Sequence, residues 1–418
     1  MRNNKLMISI GAWCLYDWAS SAFSTIVMTF VFAIYFTTTV ASNKIMGTYQ
    51  WANATAISGV VIALLSPLCG AIADYGGHHK RWLFSFTLLC IISCAMLWFA
   101  YPAQTFLYYI LTFVILGNIG LEVGFVFYNA YLPYLAPKPF LGRISGWGWG
   151  SGYIGGILAL TIALVVFLHG KPTWLDHRTF EQVRICGPFV AVWIFVFSLP
   201  LFFLMEDIPS NSYPLKRAII AGSKELLSTL KKLPQEKNIF IYLFAHMIYA
   251  DGLNTLFAFG GIYAAGTYGF TLDQALLFGI SMNITAGIGA ILLGWMDDYF
   301  GSKLTILVSL VFLVLLGAPL LVLEDKYIFW AFALFLGLFV GPVQSASRSL
   351  MTRLIETRST ATEMFGLYAL SGKITAFIGP WLLGMITLTF GSQRLGMATV
   401  LVFFVVGGLL LLPVKVHE

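Results

Sequence analysis

Charged residues are scarce in this chain of 418 residues. Asp, Glu, Lys and Arg together make up 10% of the sequence, whereas soluble domains carry about 25%. Hydrophobic residues account for 59%, and the mean hydropathy is +0.85. A chain with so little charge cannot cover a soluble globular surface, so we expect an integral membrane protein.

Sequence signatures of catalysis and cofactor binding are also missing. The chain has no G-x-x-x-x-G-K-[ST] loop to hold phosphate, which argues against an ATP-driven pump with its motor in this chain. No nucleophile motif stands out. The cysteines fall in or beside apolar stretches, without the spacing of metal ligands or a disulfide framework. They are Cys14, Cys69, Cys90, Cys94 and Cys186. We therefore expect no enzyme activity, no cofactor and no bound metal.

Long apolar stretches dominate what the chain does contain. Twelve of them are long enough to cross a bilayer as a helix, which takes about 20 residues. The short alternating segments of a transmembrane barrel are not visible. The first stretch lacks a small-residue cleavage site and is interpreted as a retained helix. The eleventh runs from Phe365 to Leu388. The prediction is an all-α membrane protein of twelve transmembrane helices.

The basic residues predict an orientation. Lys and Arg concentrate in the segments on the same side as both termini, and an excess of basic charge marks the cytoplasmic face. Both termini are therefore predicted to be cytoplasmic. Since topology accounts for the net charge of +6, no nucleic-acid partner is needed.

The longest polar stretch, residues 207–238, divides the chain into an N-terminal six-helix half (1–206) and a C-terminal six-helix half (239–418). Within it, apolar residues recur at helical spacing opposite lysines, as in a helix that lies on a membrane surface. The segment is predicted to be a cytoplasmic linker with an amphipathic helix. It either lets the halves rock against each other or is a tether held by anionic lipid.

One short pattern occurs twice. G-x-x-x-D-x-x-G closes an apolar stretch in each half, and the copies lie 224 positions apart. Its residues are Gly70, Asp74 and Gly77 in the first copy and Gly294, Asp298 and Gly301 in the second. A second correspondence, offset by 220 positions, aligns Gly146, Ser151 and Gly152 with Gly366, Ser371 and Gly372. Related six-helix halves are a recurrent transporter plan, so we expect alternating access about a central site.

The repeated pattern predicts two helix contacts at the cytoplasmic face. Its first glycine lets another helix approach closely, and its second permits a turn. Its aspartate can accept backbone hydrogen bonds at the start of a helix from the other half. We predict that Asp74 meets the eleventh span near Thr362 and that Asp298 meets the fifth near Gly142, which would hold that side closed. Simple helix-end capping is the alternative. The basic residues assigned to this gate are Arg81, Arg143, Lys303 and Arg348.

Four ionisable residues lie inside apolar stretches: Asp17, Glu122, Asp251 and Lys373. Charge at the bilayer centre costs about 2.5 to 3.5 kcal/mol even on the gentlest scale, so such residues are candidates for substrate binding or proton coupling. A satisfied interhelical ion pair is the alternative. Lys373 is either the countercharge of one carboxylate or the group that holds an anionic substrate.

Polar and aromatic residues extend these candidates. Asn129 lies seven residues after Glu122, and Asn254 lies three after Asp251, so each shares a helix face with its carboxylate. Further candidates are Gln344, Tyr128 and Tyr368. Gln344 is as readily explained by interhelical hydrogen bonding. His246 is off the face of Asp251 and is interpreted as a packing residue, with proton relay as the alternative.

The doubled pattern, followed by basic residues, resembles the signature loop of the major facilitator superfamily. Within that superfamily, several segments resemble the vacuole-effluxer-like branch. They are YDWA at 16–19, FYNAYLP at 127–133, DGLNT at 251–255, QSASRS at 344–349 and SGK at 371–373. The resemblance implies a cavity lined by the first, fourth, seventh and tenth spans. The chain departs from the superfamily loop at His78 and His79, where a basic pair is usual.

The branch includes fungal vacuolar amino-acid effluxers and many bacterial proteins, and the compact loops resemble the bacterial members. The resemblance thus implies amino-acid transport in a bacterial inner membrane. Together, sequence and resemblance predict a monomeric, proton-coupled secondary transporter of a small polar solute. The alternatives are transport of a larger metabolite, such as a siderophore or drug, and a membrane receptor or scaffold that has lost transport.

Overall fold

A computed structural model describes residues 2–170, 172–209, 213–355 and 357–416. Within these ranges the chain is helical and contains no strand. Twelve helices are long and apolar enough to cross a membrane, and one shorter helix lies between the sixth and seventh of them. In chain order they are α1 (Asn4–Val40), α2 (Lys44–Gly76), α3 (His79–Phe99), α4 (Gln104–Leu135), α5 (Lys138–His169), α6 (Glu181–Leu204), α7 (Leu215–Lys232), α8 (Lys237–Tyr268), α9 (Leu277–Phe300), α10 (Ser302–Leu320), α11 (Lys326–Leu354), α12 (Arg358–Phe390) and α13 (Gln393–Leu411).

The helix ends follow from local side-chain chemistry. Asp325 precedes α11, and its carboxylate accepts the backbone N–H groups of Tyr327 and Ile328 at 2.8 and 2.9 Å. These are two of the first N–H groups of a helix, which have no partner within it. The turns that end α2 and α9 pass through Gly77 (φ +70°) and Gly301 (φ +86°). Glycine adopts these positive φ angles at little cost, as the sequence predicts for the second glycine of the repeated pattern.

Among the described spans, the longest interruption lies in the eleventh. The eleventh span, α12, is helical over Ala361–Lys373 and again over Ile378–Phe390, with a turn at 374–377 between them. Pro380 explains the interruption, because its ring clashes with the carbonyl group four residues earlier and it has no N–H to donate. The span predicted from Phe365 to Leu388 is therefore present, with a turn at its centre that the apolar pattern does not show.

The chain folds into two compact units. The first consists of the described residues of Met1–Ile62, His78–Tyr128 and Ser151–Pro209. In it, α6 packs against both α1 and α3. Lys80, at the start of α3, fixes the end of α6: its backbone N–H donates to Asp207 at 2.9 Å, and its ammonium group donates to the carbonyl of Met205.

The second unit consists of the described residues of Ala63–Gly77, Asn129–Gly150 and Ser210–Glu418. In it, α8 packs against α13, and α11 packs against α9 and α10. The unit also contains the end of α2, the end of α4 and the beginning of α5. Its boundaries therefore cut through continuous helices. The division of the sequence into 1–206 and 239–418 stays a prediction.

Candidate functional site

The second unit contains a contact between the end of α2 and the beginning of α12. The Asp74 carboxylate accepts the backbone N–H of Glu363 at 2.8 Å and that of Thr362 at 3.3 Å. Both donors belong to the first turn of the half-helix Ala361–Lys373, where the helix dipole favours negative charge. The contact predicted for Asp74 is thus present. Its role as a gate stays a prediction.

The end of α9 makes the equivalent contact with the beginning of α5. The Asp298 carboxylate accepts the backbone N–H of Gly142 at 2.8 Å and that of Arg143 at 3.3 Å. The Arg143 side chain adds an ion pair, with its Nε 2.5 Å from the carboxylate. The Asp298 side chain is only 2% exposed, so water screens this pair little. The contact predicted for Asp298 is therefore present as well.

Glycines bring the helices together in the α2–α12 contact. A Cβ atom on Gly70 would overlap the carbonyl of Thr362. A Cβ atom on Gly366 would fall against the backbone of Pro67. Each helix thus contributes one glycine to the crossing, and the two backbones touch where larger residues would separate them.

The α9–α5 contact repeats this arrangement. A Cβ atom on Gly294 would lie 3.0 Å from the Cα of Arg143, and one on Gly146 would overlap the carbonyl of Ala290. The two pairs of repeated segments, at offsets of 224 and 220, therefore pack against each other. The segment of Gly70 packs against that of Gly366, and the segment of Gly294 packs against that of Gly146.

The basic residues assigned to the gate have different positions. Arg348 on α11 is 2% exposed, and its guanidinium donates to Ser145 Oγ at 3.0 Å, to the Ser145 carbonyl at 2.7 Å and to Asn129 Oδ1 at 3.3 Å. It therefore joins α11 to the segment that contains the end of α4 and the beginning of α5. Lys303 instead caps the end of α13, because its Nζ donates to the carbonyls of Leu412 and Val414 at 2.6 and 2.8 Å.

Arg81 is exposed at the start of α3. In the part of the chain that the structure describes, Arg143 forms an ion pair with Asp298, whereas Lys303 and Arg348 make the contacts given above. The usual basic pair of the loop falls here on His78 and His79. His78 occupies a left-handed conformation (φ +60°) next to the turn glycine, so the chain direction changes before Arg81 is reached.

A second carboxylate at the end of α9 was missed. Asp297 is 1% exposed, and its Oδ1 accepts the Ser302 hydroxyl at 2.7 Å and the Arg353 guanidinium at 3.2 Å. Arg353 also donates to Ser302 Oγ at 2.9 Å. The Asp-Asp doublet was the available signal. Neighbouring residues on a helix point about 100° apart, so one carboxylate faces α5 and the other faces α11.

The break in α12 lies against Asp251 of α8. Asp251 is 2% exposed, and its Oδ2 accepts the backbone N–H of Gly379 at 3.0 Å. Gly379 is the second residue of the half-helix Ile378–Phe390, so the carboxylate sits at the positive end of that half-helix. The Asp251 Oδ1 is also buried and has no hydrogen-bond partner among the described residues. A carboxylate oxygen without a hydrogen-bond donor can accept a proton.

Two further candidates lie at the other side of the break. Lys373 is the last residue of the half-helix Ala361–Lys373 and is half-buried. Asn254, which is exposed, donates from Nδ2 to the carbonyl of Gly372 at 3.5 Å. Asp251 and Asn254 therefore bridge the two ends of the broken helix. The Thr255 hydroxyl, in contrast, donates to the Asp251 main-chain carbonyl at 2.8 Å, so it does not contact the carboxylate.

His246 has more than a packing role. It is buried on α8, its ring stacks on Tyr368 of α12 with 4.2 Å between centroids, and its Nδ1 shares a 2.7 Å hydrogen bond with the Ser371 hydroxyl. Tyr368 is half-buried. The stacking agrees with the packing interpretation, while the hydrogen bond fixes the half-helix that ends at Lys373. Gln344, the remaining candidate on this side, is half-buried on α11.

In the first unit the structure brings Asp17 and Tyr128 together. The Tyr128 hydroxyl donates to Asp17 Oδ2 at 2.7 Å. Trp13 holds Tyr128 in place, since the rings stack at 4.5 Å and the indole N–H donates to the Tyr128 carbonyl at 3.0 Å. The Ser20 and Ser21 hydroxyls donate to the Asp17 main-chain carbonyl and not to its carboxylate. Glu122 is half-buried on α4.

A profile of the family described as "Vacuole effluxer Atg22 like" matches residues 48–418. The chain belongs to this family. An MFS-type transporter of Bacillus subtilis, YxiO, is 27% identical over 401 residues, which cover 95% of this chain and 92% of that protein. Autophagy-related protein 22 of Pichia angusta is 27% identical over 281 residues, which cover 58% of this chain and 50% of that protein.

The fold is that of the major facilitator superfamily. The transporter FucP, solved in its outward conformation, superposes with a TM-score of 0.77 at 13% identity over 99% of each chain. The proton:xylose symporter XylE gives the same TM-score and identity over 100% of this chain and 98% of its own. The predicted fold class is therefore confirmed. This family member is a multi-pass membrane protein and a secondary transporter, not an enzyme.

Proposed function

We propose that this Atg22-like transporter moves a small polar solute, an amino acid or a related metabolite, by alternating access coupled to protons. We place it in a bacterial inner membrane as a monomer with both termini cytoplasmic. The family description as an effluxer, the similarity to autophagy-related protein 22 and the basic residues at the ends of the spans support these choices.

The environment of Asp251 carries the proposal. Its carboxylate is buried against the break in α12, with one oxygen on the Gly379 N–H and the other without a partner among the described residues. Hydrogen bonds to an ionised acceptor are stronger than those to a neutral one. Binding a proton at the unpartnered oxygen therefore weakens the bond to Gly379 and changes how firmly α8 holds the half-helix Ile378–Phe390.

Lys373 and Asn254 support a solute that carries a carboxylate. Both lie at the opposite end of the same break, and Asn254 is exposed. A carboxylate bound there would meet an ammonium group and an amide N–H. Lys373 lies at one end of the break and Asp251 at the other. Binding of an anionic group near Lys373 and binding of a proton by Asp251 would therefore both act on α12.

The two aspartate contacts support gating. In the α2–α12 and α9–α5 contacts a carboxylate holds the beginning of a helix through backbone N–H groups, and glycines place the backbones in contact. Charge-assisted bonds at a helix start are strong enough to hold a closed state and few enough to be broken together. We propose that these contacts close the cytoplasmic side.

Transport into proteoliposomes tests the proposal. A panel of labelled amino acids and larger metabolites is offered with and without a pH gradient, to the unaltered protein and to Asp251→Asn. We expect accumulation of an amino acid that follows the gradient, and in Asp251→Asn we expect exchange of that solute without gradient-driven accumulation. Asp325→Asn is the matched control, since Asp325 also accepts backbone N–H groups at a helix start but lies at the cap of α11.

Three results would contradict the proposal in different ways. If a solute moves but no gradient changes its flux, proton coupling is wrong. If gradient-driven accumulation survives in Asp251→Asn, this residue is not the coupling site. If only larger metabolites move, or if none do, the solute class is wrong, and in the second case a receptor or scaffold role gains support.

A further inference from the structure

The short helix α7 presents three different faces. Ala218, Gly222 and Leu226 are spaced by four residues and are buried, so they form the face that packs inside the protein. A Cβ atom on Gly222 would lie 2.8 Å from the Ala71 carbonyl and equally close to the backbone of Ile72. This face therefore rests directly on the last turns of α2.

A polar contact connects α7 to the end of α2. The Tyr75 hydroxyl, one residue after Asp74, donates to Glu225 at 3.3 Å. A Cβ atom on Gly76 would also lie 3.0 Å from the Ala218 side chain. A displacement of α7 therefore acts on α2, the helix that carries Asp74.

A second face is apolar and has no cover in the described structure. Ile219, Ile220, Leu227 and Leu230 are all exposed, with Ile220 at 65% and Leu227 at 60%. Exposure of this extent is shared by the apolar side chains on the outer surfaces of the membrane spans. Because this face continues beside the one that packs on α2, it must meet either lipid or another apolar surface.

The third face is basic. Exposed residues on it are Lys216, Arg217, Lys224, Lys231 and Lys232. Glu225, the one acidic residue between Leu215 and Lys232, lies on the side that packs against Tyr75. The surface of α7 that is free of the protein thus combines an apolar stripe with cationic residues along its edge, which is the composition of a helix that lies in a membrane interface.

The position of α7 favours one kind of cover for the apolar stripe. It rests on the end of α2, and the chain enters it from α6, which ends at Leu204, and leaves it for α8, which begins at Lys237. Because successive spans cross the membrane in opposite directions, the second and sixth spans end, and the seventh begins, on the same side. We propose that α7 docks on anionic phospholipid headgroups at this surface, with its Ile and Leu side chains in the acyl boundary, and that docking stabilises the α2–α12 contact through Tyr75 and the packing of Gly222 on α2.

Fluorescence at a single label tests the docking. An environment-sensitive probe is attached to Leu227→Cys in a background whose native cysteines are replaced by alanine, and the protein is placed in vesicles of phosphatidylcholine with or without phosphatidylglycerol. We expect a blue shift, and quenching by lipids spin-labelled near the headgroup, that increase with phosphatidylglycerol. For each basic residue neutralised in Lys224→Gln and Lys231→Gln, the ratio of docked to undocked helix should fall about fivefold. Lys326→Gln, at the start of α11, is the control.

A second readout tests the coupling to α12. Leu367 is 1% exposed on the first half of α12, so alkylation of Leu367→Cys reports opening of the contact. We expect phosphatidylglycerol to slow alkylation in the protein with the basic face intact, and to have no effect once Lys224 and Lys231 are replaced.

Each other outcome overturns part of the proposal. Water-like emission in both vesicles excludes docking, and equal burial of the probe in both excludes recognition of anionic headgroups. Emission that depends on protein density identifies a second copy as the cover. If docking responds to phosphatidylglycerol but Leu367→Cys alkylation does not, the link to the contact is wrong. None of these measurements uses transport, so they stand apart from the test of Asp251.

Discussion

The α9–α5 contact leads to a quantitative prediction for Asp298→Asn. The carboxylate accepts two backbone N–H groups and pairs with Arg143, and its side chain is 2% exposed. An asparagine in the same place keeps one acceptor oxygen but presents an NH₂ group to the remaining donors. The substitution therefore removes the ion pair and about one charged backbone bond while leaving the side-chain volume unchanged.

The size of the effect follows from these contacts. A hydrogen bond to a charged group contributes about 1.5 to 3 kcal/mol net, so losing one of them together with the Arg143 pair costs about 3 kcal/mol. At about 1.4 kcal/mol per factor of ten, the ratio of closed to open contact falls by about 100-fold. If the closed contact dominates in the unaltered protein, the open fraction rises by the same factor.

Cysteine alkylation measures that fraction. Ile144 is 2% exposed in the first turns of α5, so Ile144→Cys reacts with a maleimide only when the contact opens. We expect Asp298→Asn to raise the alkylation rate by about 100-fold under conditions where opening is rapid. Asp325→Asn is the control, because it removes the charge of an aspartate that accepts two backbone N–H groups within its own helix. An unchanged rate in Asp298→Asn, or an equal rise in the control, would refute the reasoning.

Two further predictions concern packing and buried charge. Gly366→Val should destabilise the α2–α12 contact by about 1 to 3 kcal/mol, because the added side chain meets the backbone of Pro67. Gly384→Val is the control: a Cβ atom there has no neighbour within 4 Å, so the thermal midpoint should not change. Arg353→Met should cost about 3 to 5 kcal/mol by leaving Asp297 buried without its cation, and adding Asp297→Asn should recover much of the loss. Thermal unfolding in detergent measures the stability of all these variants. An equal loss of stability in Gly366→Val and Gly384→Val would contradict the first prediction. A double variant no more stable than Arg353→Met would contradict the second.

The number of spans was predictable because hydropathy over about 20 residues is a strong signal. The interruption of α12 was not, although Pro380 is visible in the sequence, because an averaged apolar stretch does not show where backbone hydrogen bonds are lost. Proline is tolerated in membrane helices when neighbours satisfy the freed groups. Here that neighbour is Asp251 of α8, whose approach to Gly379 depends on tertiary packing.

The two aspartate contacts were predictable because the repeat supplied both partners. The offsets placed Asp74 and Asp298 at helix ends, and the dipole argument required a helix start from elsewhere in the chain. Asp297 was missed because its pairing with Arg353 depends on how α9 and α11 are rotated about their axes. The hydroxyls near the carboxylates were visible, but Ser20 and Thr255 bond main-chain carbonyls, as Ser and Thr in helices often do.

The jointed form of α12 also bears on how the protein is assembled in the membrane. Each of its two halves has 13 residues and is about 20 Å long, which is less than the roughly 30 Å of a hydrocarbon core. Of the twelve spans, α8 and α12 have the lowest mean hydropathy, and they are the spans that carry Asp251 and Lys373. Because α8 is synthesised first, its carboxylate is in place to receive the exposed N–H of Gly379 when α12 enters the bilayer. Stable insertion of α12 during biogenesis should therefore depend on α8, although more than 100 residues separate Asp251 from Gly379.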